Sequence, residues 1–284
     1  GFDKDAEAAD AMLGLGFGFV EVGTLTPRPQ SGNAKPRLFR LKEDRAVINR
    51  MGFNNGGQEA ALDRLSKRPR RGVVGVNIGA NKDSTDRIAD YAAGVAAMAP
   101  VADYLTINIS SPNTPGLRNL QTDGELSELL AAVAGARATG GPPVFLKVAP
   151  DLAEGDHDRI VRAATDHGID ALIVANTTIS RPTLGSRYAS EAGGLSGRPL
   201  KTLALDQLRR FRAASGGALA LIAAGGVEDA DDAWARIRAG ASLVQLYSAL
   251  VYGGPGLGKR IASGLASRLK QGGYATIADA VGTG

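Results

Sequence analysis

The chain has 284 residues, of which 33 are Lys or Arg and 29 are Asp or Glu, so its formal net charge is +4 and its sequence pI is about 9.4. Hydrophobic residues make up 44% and charged residues 22%, a composition that excludes a disordered chain and predicts a globular protein with a large core. The absence of cysteine excludes disulfides and thiolate chemistry, and two histidines, His157 and His167, are too few for a multi-histidine site, so no metal is expected.

Apolar patterning divides the chain into short strands and longer helices. Short runs rich in β-branched residues alternate with amphipathic runs, which is typical of repeated βα units around a parallel sheet. The predicted strands are Phe17–Val22, Gly72–Ile78, Tyr104–Ile109, Val144–Val148, Ala171–Val174, Ala218–Ala223 and Leu243–Leu246. The predicted helices lie near 4–14, 57–67, 84–98, 123–137, 153–167, 199–214, 229–239 and 256–270.

The order of these elements predicts an α/β fold of the (β/α)8 TIM-barrel type, with residues 1–284 forming one catalytic domain. The chain begins with a helix and then repeats βα seven times, so we expect the first barrel strand to be missing from it. Gly1–Lys4 would then leave that strand, which places Lys4 at the C-terminal rim where barrel active sites form. The alternative is an open sheet of seven strands that starts with a helix.

The segment 24–55 interrupts the βα repeat with three prolines and several turn signals. Its spacing of Pro and Gly favours short antiparallel strands at the barrel mouth over another helix. We therefore predict a short β-rich excursion after the second strand of the barrel.

Polar side chains gather at the ends of the predicted strands, where the active face of a βα barrel forms. They are Asn77, Asn108, Ser111, Asn113, Lys147, Asn176 and Thr177, with Asn49 and Asn54 or Asn55 from the excursion. Planar amides both donate and accept, so several that converge suit a flat ligand with alternating N–H and C=O groups, such as a pyrimidine. Lys147 predicts an anionic partner, because an unpaired buried ammonium is costly. Taken singly, each Asn is typical of a turn, and Lys147 could extend to solvent.

Glycine-rich segments lie near the last strands. They are Gly193–Gly197 in a loop and Gly225-Gly226 before a helix, and the next strand ends at Tyr247-Ser248. Barrels often bind phosphate here through backbone N–H groups, whereas a lone Gly-Gly is typical of a turn. Ser111 lies in a loop with two prolines and no nearby histidine, so the residues alone favour a structural cap over a nucleophile.

Longer runs carry a resemblance that covers nearly the whole chain. They are GFDKD at 1–5, EVGTLTPRPQSGN at 21–33, KPRLFR at 35–40, INRMGFNN at 48–55, NISSPNTPGLR at 108–118, LKVAPD at 146–151, NTT at 176–178, GGLSGRPL at 193–200 and GASLVQLYSAL at 240–250. In their order and spacing the chain resembles the dihydroorotate dehydrogenases, and more closely the class-two, quinone-dependent branch.

The resemblance implies an FMN enzyme that oxidises dihydroorotate to orotate in de novo pyrimidine synthesis and passes the electrons to a quinone. Ser111 then matches the base that removes the C5 proton, where class-one enzymes use Cys, and the lack of cysteine supports class two. Lys147 matches a residue that stabilises charge at the flavin N1/C2 carbonyl region while a hydride leaves C6 for flavin N5.

The resemblance also implies binding positions. The orotate-binding positions are Lys4, Asn49, Arg50, Met51, Gly52, Phe53, Asn108, Asn113, Asn176 and Thr177. The FMN-contacting positions are Gly1, Thr24, Asn77, Asn108, Lys147, Ala175, Gly197, Gly225, Gly226, Tyr247 and Ser248. Arg40 and Tyr247 match residues that line the quinone approach. Some relatives have Thr in place of Ala175; if its hydroxyl makes the contact, the flavin loses one hydrogen bond of roughly 0.5–1.5 kcal/mol.

The family also implies a location. Class-two relatives dock on the membrane through N-terminal amphipathic helices, which this sequence does not contain. We expect peripheral contact with the cytoplasmic face of the inner membrane of a bacterium, and no nucleic-acid partner. Two alternatives stay open: the same flavin barrel with fumarate or NAD as acceptor, and a catalytically silent barrel that only binds a phosphorylated ligand.

Overall fold

The alternation of strands and helices is present in the computed structural model, which describes the backbone of residues 1–284 and every side chain except that of Asp123. The strands are β1 Phe19–Leu25, β2 Leu38–Leu41, β3 Ala46–Asn49, β4 Val73–Ile78, β5 Tyr104–Asn108, β6 Val144–Val148, β7 Ala171–Val174, β8 Gly194–Gly197, β9 Ala220–Ala224 and β10 Leu243–Gln245. The α-helices are α1 Ala9–Gly14, α2 Gln58–Lys67, α3 Arg87–Met98, α4 Asp123–Ala136, α5 Asp156–Asp166, α6 Lys201–Ser215, α7 Ala230–Arg238, α8 Leu250–Gly253, α9 Leu257–Gly272 and α10 Ile277–Ala280. Short 3-10 helices occur at Ala99–Val101, Leu117–Gln121 and Arg198–Leu200.

The chain folds as two units. Unit 1 comprises Gly1–Arg37, Met51–Lys147 and Arg162–Asp170, and unit 2 comprises Leu38–Arg50, Val148–Val161 and Ala171–Gly284. The sequence-based assignment of residues 1–284 to a single catalytic domain stays a prediction. Within the described residues no helix combines the length and apolar character needed to cross a bilayer.

Unit 1 is built on parallel strands in the order β1-β4-β5-β6. The register places Gly23 beside Asn77, and Asn108 beside Lys147. Because parallel strands end on the same edge of a sheet, the polar residues near these ends are brought to one edge. Apolar side chains such as Val76 and Leu105 fill the interior of the unit and are fully buried.

Unit 2 contains parallel strands in the order β7-β9-β10 and an antiparallel sheet in the order β2-β3-β8. The β2-β3 hairpin confirms the predicted β-rich excursion. Its apolar side chains form a small core of their own, consisting of Phe39, Leu41, Ala46, Ile48 and Leu195. The fold class predicted from the sequence is confirmed at the level of an α/β protein with parallel strands.

Several sequence predictions were wrong in detail, and three of the differences have a direct structural cause. The first helix begins at Ala9 rather than near residue 4, because the Asp3 carboxylate accepts the backbone N–H groups of Glu7 and Ala8 at 2.9 and 2.8 Å and holds that stretch as a loop. Strand β1 runs on to Leu25, past the predicted end at Val22, because its pairing with β4 continues after a bulge. The segment around Gly194–Gly197, predicted as a loop, is strand β8 paired with β3.

Candidate active site

Three polar side chains at the C-terminal edge of unit 1 form one hydrogen-bonded group. The Thr24 hydroxyl donates to Asn77 Oδ1 at 2.6 Å, and Asn108 Nδ2 lies 3.1 Å from both Thr24 Oγ1 and Asn77 Oδ1. All three residues are buried, with exposed fractions of 3% to 5%. The structure therefore brings together three of the predicted flavin-contacting residues.

Glu21 extends this group and was missed by the sequence analysis. Its Oε1 accepts from Asn77 Nδ2 at 2.7 Å, while its Oε2 accepts from Thr106 Oγ1 at 2.9 Å and from the Tyr104 hydroxyl at 3.3 Å. The signal that could have found it is its charge, because a carboxylate stands alone in the otherwise uncharged strand FVEVGTL. A carboxylate in a strand that packs against a core needs hydrogen-bond donors, and Glu21 has three of them.

The loop that carries Ser111 is attached to the same group. Asn108 Oδ1 accepts the backbone N–H and the hydroxyl of Ser110 at 3.3 and 2.8 Å, and Arg118 Nε donates to the Ser110 carbonyl at 2.9 Å. Ser111 is 5% exposed, and its Oγ accepts the N–H of Asn113 at 3.2 Å. These contacts anchor the loop that carries Ser111 to Asn108 and Arg118 and give the Ser111 hydroxyl a backbone partner within the loop.

Asn33 is a second residue that the sequence analysis missed. Its Nδ2 donates to the Asn113 carbonyl at 3.0 Å, its Oδ1 accepts from Lys82 Nζ at 3.0 Å, and its backbone N–H donates to the Met51 carbonyl at 3.0 Å. Asn33 thus ties the Ser111 loop to the predicted substrate-binding stretch that begins at Met51. These residues are 18 to 80 positions apart, so no local pattern could have joined them.

The Met51 stretch has an unusual backbone. Gly52 has a φ of 71° and Phe53 a φ of 54°, and Gln30 Nε2 donates to both of their carbonyls at 3.1 Å. A side chain at Gly52 would collide with the Asn33 amide, since a Cβ there would lie 2.7 Å from its Cγ. The neighbouring residues Asn54 and Asn55 differ, because Asn55 binds the backbone of Thr26 and Gly57, whereas the buried Asn54 Oδ1 has no hydrogen-bond partner among the described residues.

Two of the predicted site residues in unit 1 are lysines. Lys147 is half-buried next to Asn108, and no hydrogen bond or ion pair to its ammonium occurs among the described side chains. Lys4 lies in the loop before α1, where burial and repulsion from Arg37 lower its pKa below the ordinary lysine value, against the opposing effect of Asp5. Gly1 lies two residues before Asp3, whose carbonyl accepts the Gly23 N–H at 2.7 Å.

In unit 2, the predicted pair Asn176 and Thr177 follows β7. The Asn176 N–H donates to the Val148 carbonyl at 3.0 Å, and the Thr177 N–H donates to Asn176 Oδ1 at 2.8 Å. Ala175, which precedes them, is buried and donates its N–H to the Ala224 carbonyl at 3.0 Å.

Asp151 holds the end of that segment and was also missed. Its carboxylate accepts from the Thr178 hydroxyl, from the Ile179 N–H at 3.1 Å and from the Ser180 hydroxyl at 3.2 Å. Thr178 in turn forms a two-way backbone bridge to Leu195, with distances of 3.0 and 2.8 Å. The segment that bears Asn176 and Thr177 is therefore fixed from two sides.

Asn49 and Arg50 lie at the end of β3 in the same unit. The Arg50 guanidinium forms an ion pair with Glu191 at 2.8 Å and lies 4.6 Å from the centroid of the Phe39 ring. Its charge is thus already paired within the protein, which leaves the backbone of this stretch as the part that could contact a ligand. Asn49 is half-buried, and its carbonyl oxygen would lie only 2.4 Å from a Cβ on Gly193.

At three glycines in unit 2, an added side chain would collide with neighbouring atoms. Gly197, Gly225 and Gly226 have φ values of 89°, 100° and 71°. A Cβ at Gly226 would lie 2.4 Å from Lys201 Cα, and one at Gly197 would lie 2.5 Å from the Arg45 carbonyl oxygen. Ser248 Oγ lies 2.7 Å from Ser196 Oγ, so the predicted phosphate residues Gly197 and Ser248 are linked through β8.

A carboxylate surrounded by cations lies directly after the two glycines. Glu228 bonds Arg45 at 2.7 Å and Arg198 at 2.9 Å, and Lys201 Nζ lies 3.5 Å away. Burial alone would raise the pKa of Glu228, but hydrogen bonds from Arg198 and Arg45 lower it below the ordinary glutamate value. The cluster joins the hairpin turn, the loop after β8 and the loop after β9.

The two residues predicted to line a quinone approach, Arg40 and Tyr247, both lie in unit 2. Arg40 is exposed on β2, and Tyr247 follows β10 with half of its side chain exposed. The structure thus forms two groups of predicted site residues, one in each unit, and the assignment of individual residues to substrate, cofactor and quinone stays a prediction.

A comparison with protein-family models and curated proteins shows which proteins the chain is similar to. The family model described as "Dihydroorotate dehydrogenase" matches residues 1–269. Two similar curated proteins are named dihydroorotate dehydrogenase (quinone). The one from Erythrobacter litoralis is 65% identical over 284 residues, which is 100% of this chain and 83% of the relative, and the one from Rhodospirillum rubrum is 57% identical over 287 residues, covering 99% and 78%.

Solved structures agree with the sequence comparison. A crystal structure of the dihydroorotate dehydrogenase of Eimeria tenella in complex with ferulenol has a TM-score of 0.95 and 42% identity, and it covers 100% of this chain and 83% of that chain. The ligand-free structure of the same enzyme also has a TM-score of 0.95, with 43% identity and coverage of 100% and 86%.

Proposed function

This chain belongs to the dihydroorotate dehydrogenase family, and we propose that it oxidises (S)-dihydroorotate to orotate in de novo pyrimidine biosynthesis, with FMN as cofactor and a membrane quinone as final electron acceptor. The observation that carries the proposal is the arrangement in unit 1. Asn108 is paired with Lys147 in the neighbouring strand, and Ser111 follows Asn108 by three residues. This juxtaposition supplies an amide and a hydroxyl for a flat substrate, with a cation beside them for the flavin.

The residues present fit a flavin mononucleotide. In unit 1, Thr24, Asn77 and Lys147 offer polar contacts for a flat ring, and Lys147 lacks a partner among the described side chains. In unit 2, Gly197 and the Gly225-Gly226 pair offer backbone N–H groups of the kind that hold phosphate. When bound, the flavin supplies a two-electron acceptor for the hydride and can pass those electrons to a quinone.

Ser111 is the proposed base. Its Oγ takes the proton from C5 of dihydroorotate and passes its own hydroxyl proton to a water molecule at the site, because a neutral hydroxyl is too weak a base to keep both protons. The loop contacts through Ser110 and Asn113 hold the hydroxyl in place for this transfer. Near-complete burial also keeps bulk water away from Ser111 Oγ.

Substrate recognition follows from charge and amide chemistry. Lys4 is the proposed partner of the orotate carboxylate, and Asn108 and Asn113 are proposed to read the ring edge in unit 1. Asn176 and Thr177 are proposed substrate contacts in unit 2, together with the Asn49–Arg50 backbone. An ammonium holds a carboxylate by a charge-assisted hydrogen bond, which is stronger than a bond between neutral groups.

The finer structural and cellular proposals rest on the same relatives. The repeated strand and helix order in both units supports a (β/α)8 barrel. The quinone named in the relatives supports peripheral contact with the cytoplasmic face of a bacterial inner membrane, where a membrane-dissolved quinone would be reached. Arg40 and Tyr247 are the proposed residues on the quinone approach.

The direct test is Ser111→Ala, compared with wild type by anaerobic stopped-flow absorbance. We expect the variant to retain flavin and orotate binding, and its flavin to be reduced by dihydroorotate about 10²- to 10⁴-fold more slowly, which is the typical contribution of a positioned base. Reduction at the wild-type rate would show that Ser111 is not the base. If dihydroorotate does not reduce the flavin of the wild-type protein, the proposed reaction is refuted.

A further inference from the structure

The carboxylate of Glu21 lies at the far end of a directed chain of hydrogen bonds. Three donors face it: Asn77 Nδ2 at 2.7 Å, Thr106 Oγ1 at 2.9 Å and the Tyr104 hydroxyl at 3.3 Å. An ionised carboxylate can only accept hydrogen bonds. The group of Asn77 that faces Glu21 must therefore be its NH₂ group.

This constraint fixes the direction of the next two bonds. With its NH₂ turned to Glu21, Asn77 presents Oδ1 to Thr24, which donates at 2.6 Å, and to Asn108 Nδ2 at 3.1 Å. Asn77 Nδ2 has a second hydrogen, and no other bond from Nδ2 occurs among the described residues. What Asn77 has left to offer a ligand is therefore an N–H donor and not a lone pair, because its Oδ1 already accepts two hydrogen bonds.

The direction is passed on to the loop of the proposed base. Because Asn108 turns its NH₂ to Asn77 and Thr24, its Oδ1 faces Ser110 and accepts that residue's N–H at 3.3 Å and hydroxyl at 2.8 Å. If the Asn108 amide were reversed, an NH₂ group would face these two donors. The segment next to Ser111 would then lose the bond from the Ser110 N–H, and the Ser110 hydroxyl would have to accept instead of donate.

We infer that Glu21 is a positioning residue that sets the orientation of the Asn77 and Asn108 amides, and thereby the donor pattern seen by the ring ligands and the position of the Ser111 loop. This inference rests on the proposed function for the identity of the ligands. Its effect is indirect, because Glu21 acts through Asn77 and is not itself placed against the substrate.

Glu21→Gln tests the inference with little change in shape. A glutamine can turn either its oxygen or its NH₂ to Asn77, and the hydroxyls of Thr106 and Tyr104 can accept as well as donate, so the orientation is no longer imposed. We expect orotate affinity, measured by titration calorimetry on the flavin-loaded protein, to fall about fivefold, because bonds to a charged acceptor are roughly twice as strong as neutral ones. Thr106→Val is the matched control, since it removes a donor to Glu21 without touching Asn77, and we expect less than about a twofold change.

A second substitution, at Asn77, can restore the direction of the hydrogen bonds and makes the test sharper. Asn77→Asp alone places two carboxylates face to face, and we expect a larger loss of orotate affinity than in Glu21→Gln. In the double variant E21Q/N77D, the carboxylate introduced by N77D can only accept hydrogen bonds. The amide introduced by E21Q must therefore turn its NH₂ group to that carboxylate. The other oxygen of the same carboxylate again accepts from Thr24 and Asn108. We expect the double variant to bind orotate at least about fivefold more tightly than N77D alone, a coupling read from the double-mutant cycle.

Each outcome either supports or overturns the positioning role of Glu21. Additive losses in the double variant, or equal losses in Glu21→Gln and Thr106→Val, would overturn the inference and leave Glu21 as a structural charge. If N77D no longer retains flavin, the comparison of Glu21→Gln with Thr106→Val still decides. Should wild type bind orotate while dihydroorotate fails to reduce its flavin, the proposed reaction falls, but the inference stands or falls on orotate binding alone.

Discussion

Gly226 is the position where the phosphate proposal can be tested most quantitatively. Its φ of 71° costs an L-residue about 1 kcal/mol, and a Cβ there would lie 2.4 Å from Lys201 Cα and 2.7 Å from Lys201 N. Those neighbours are backbone at the start of α6, so they can give way only by moving the helix. Overpacking of this kind adds about 2 kcal/mol, so Gly226→Ala is expected to cost about 3 kcal/mol of folding free energy.

Gly216→Ala is the matched control. Gly216 ends α6 with a φ of 56°, and a Cβ there meets nothing within 4 Å, so this variant carries the backbone cost alone, about 1 kcal/mol. At about 2–4 °C per kcal/mol, thermal unfolding should shift by roughly 3 °C for Gly216→Ala and roughly 9 °C for Gly226→Ala. We also expect FMN affinity to fall about 10- to 100-fold only in Gly226→Ala, because a phosphate contact worth about 1.5–3 kcal/mol is displaced.

The assay combines differential scanning calorimetry with fluorescence titration of the flavin-free proteins by FMN. Equal FMN affinities in the two variants would refute the assignment of Gly226 to the phosphate, whatever their stabilities. Equal shifts of the unfolding temperature in Gly226→Ala and Gly216→Ala would show that a side chain at Gly226 does not clash with Lys201.

Three further predictions concern single side chains. Because burial and Arg37 lower the pKa of Lys4, the Kd for orotate is expected to rise with pH at values where an ordinary lysine, with a pKa of 10.5, is still charged. Asp151→Asn is expected to weaken orotate binding about fivefold, because the Thr178 segment exchanges a charged acceptor for a neutral one. The lowered pKa of Glu228 means that its contribution to stability is present above its ordinary pKa of 4.5 and is lost as the pH falls below that value, so Glu228→Gln is expected to show a shallower loss of stability in acid.

Each of these has its own control. Lys4→Arg keeps its charge at high pH, and an unchanged pH dependence in that variant would contradict the role of Lys4. For Asp151, Ser180→Ala removes one donor while leaving the carboxylate, and an equal loss of affinity in both variants would contradict the proposed positioning. For Glu228, denaturant unfolding at several pH values should show the stability difference between wild type and Glu228→Gln shrinking as the pH falls below the ordinary pKa of 4.5, so a difference that stays constant at all pH values would point to a cause other than titration.

The parts of the fold that the sequence predicted are those that depend on local patterning. Strands such as Val144–Val148 and Ala171–Val174 were predicted to the residue, because continuous apolar runs between turn signals are typical of buried parallel strands. Strand β8 was missed because GGLSG reads as a loop, and only its partner β3, about 150 positions earlier in the chain, makes it a strand. Local propensity cannot contain that pairing.

The candidate site divides in the same way. Residues at strand ends, such as Asn77 and Asn108, could be found from the periodicity alone, and the family resemblance then supplied a role for Ser111. The residues that orient them could not be found so easily. Glu21 acts on Asn77 across 56 positions, and Asn33 acts on Asn113 across 80, so their importance follows from tertiary contacts and donor geometry.

The central claim is that this chain takes electrons from dihydroorotate and gives them to a quinone. The most direct measurement is an anaerobic absorbance scan of the purified full-length protein, loaded with FMN, before and after addition of dihydroorotate and then of a soluble quinone. We predict that the flavin absorbance bleaches with dihydroorotate and returns with the quinone. A spectrum that does not bleach would contradict the account, and one that bleaches but returns only with fumarate or NAD would contradict the quinone as acceptor.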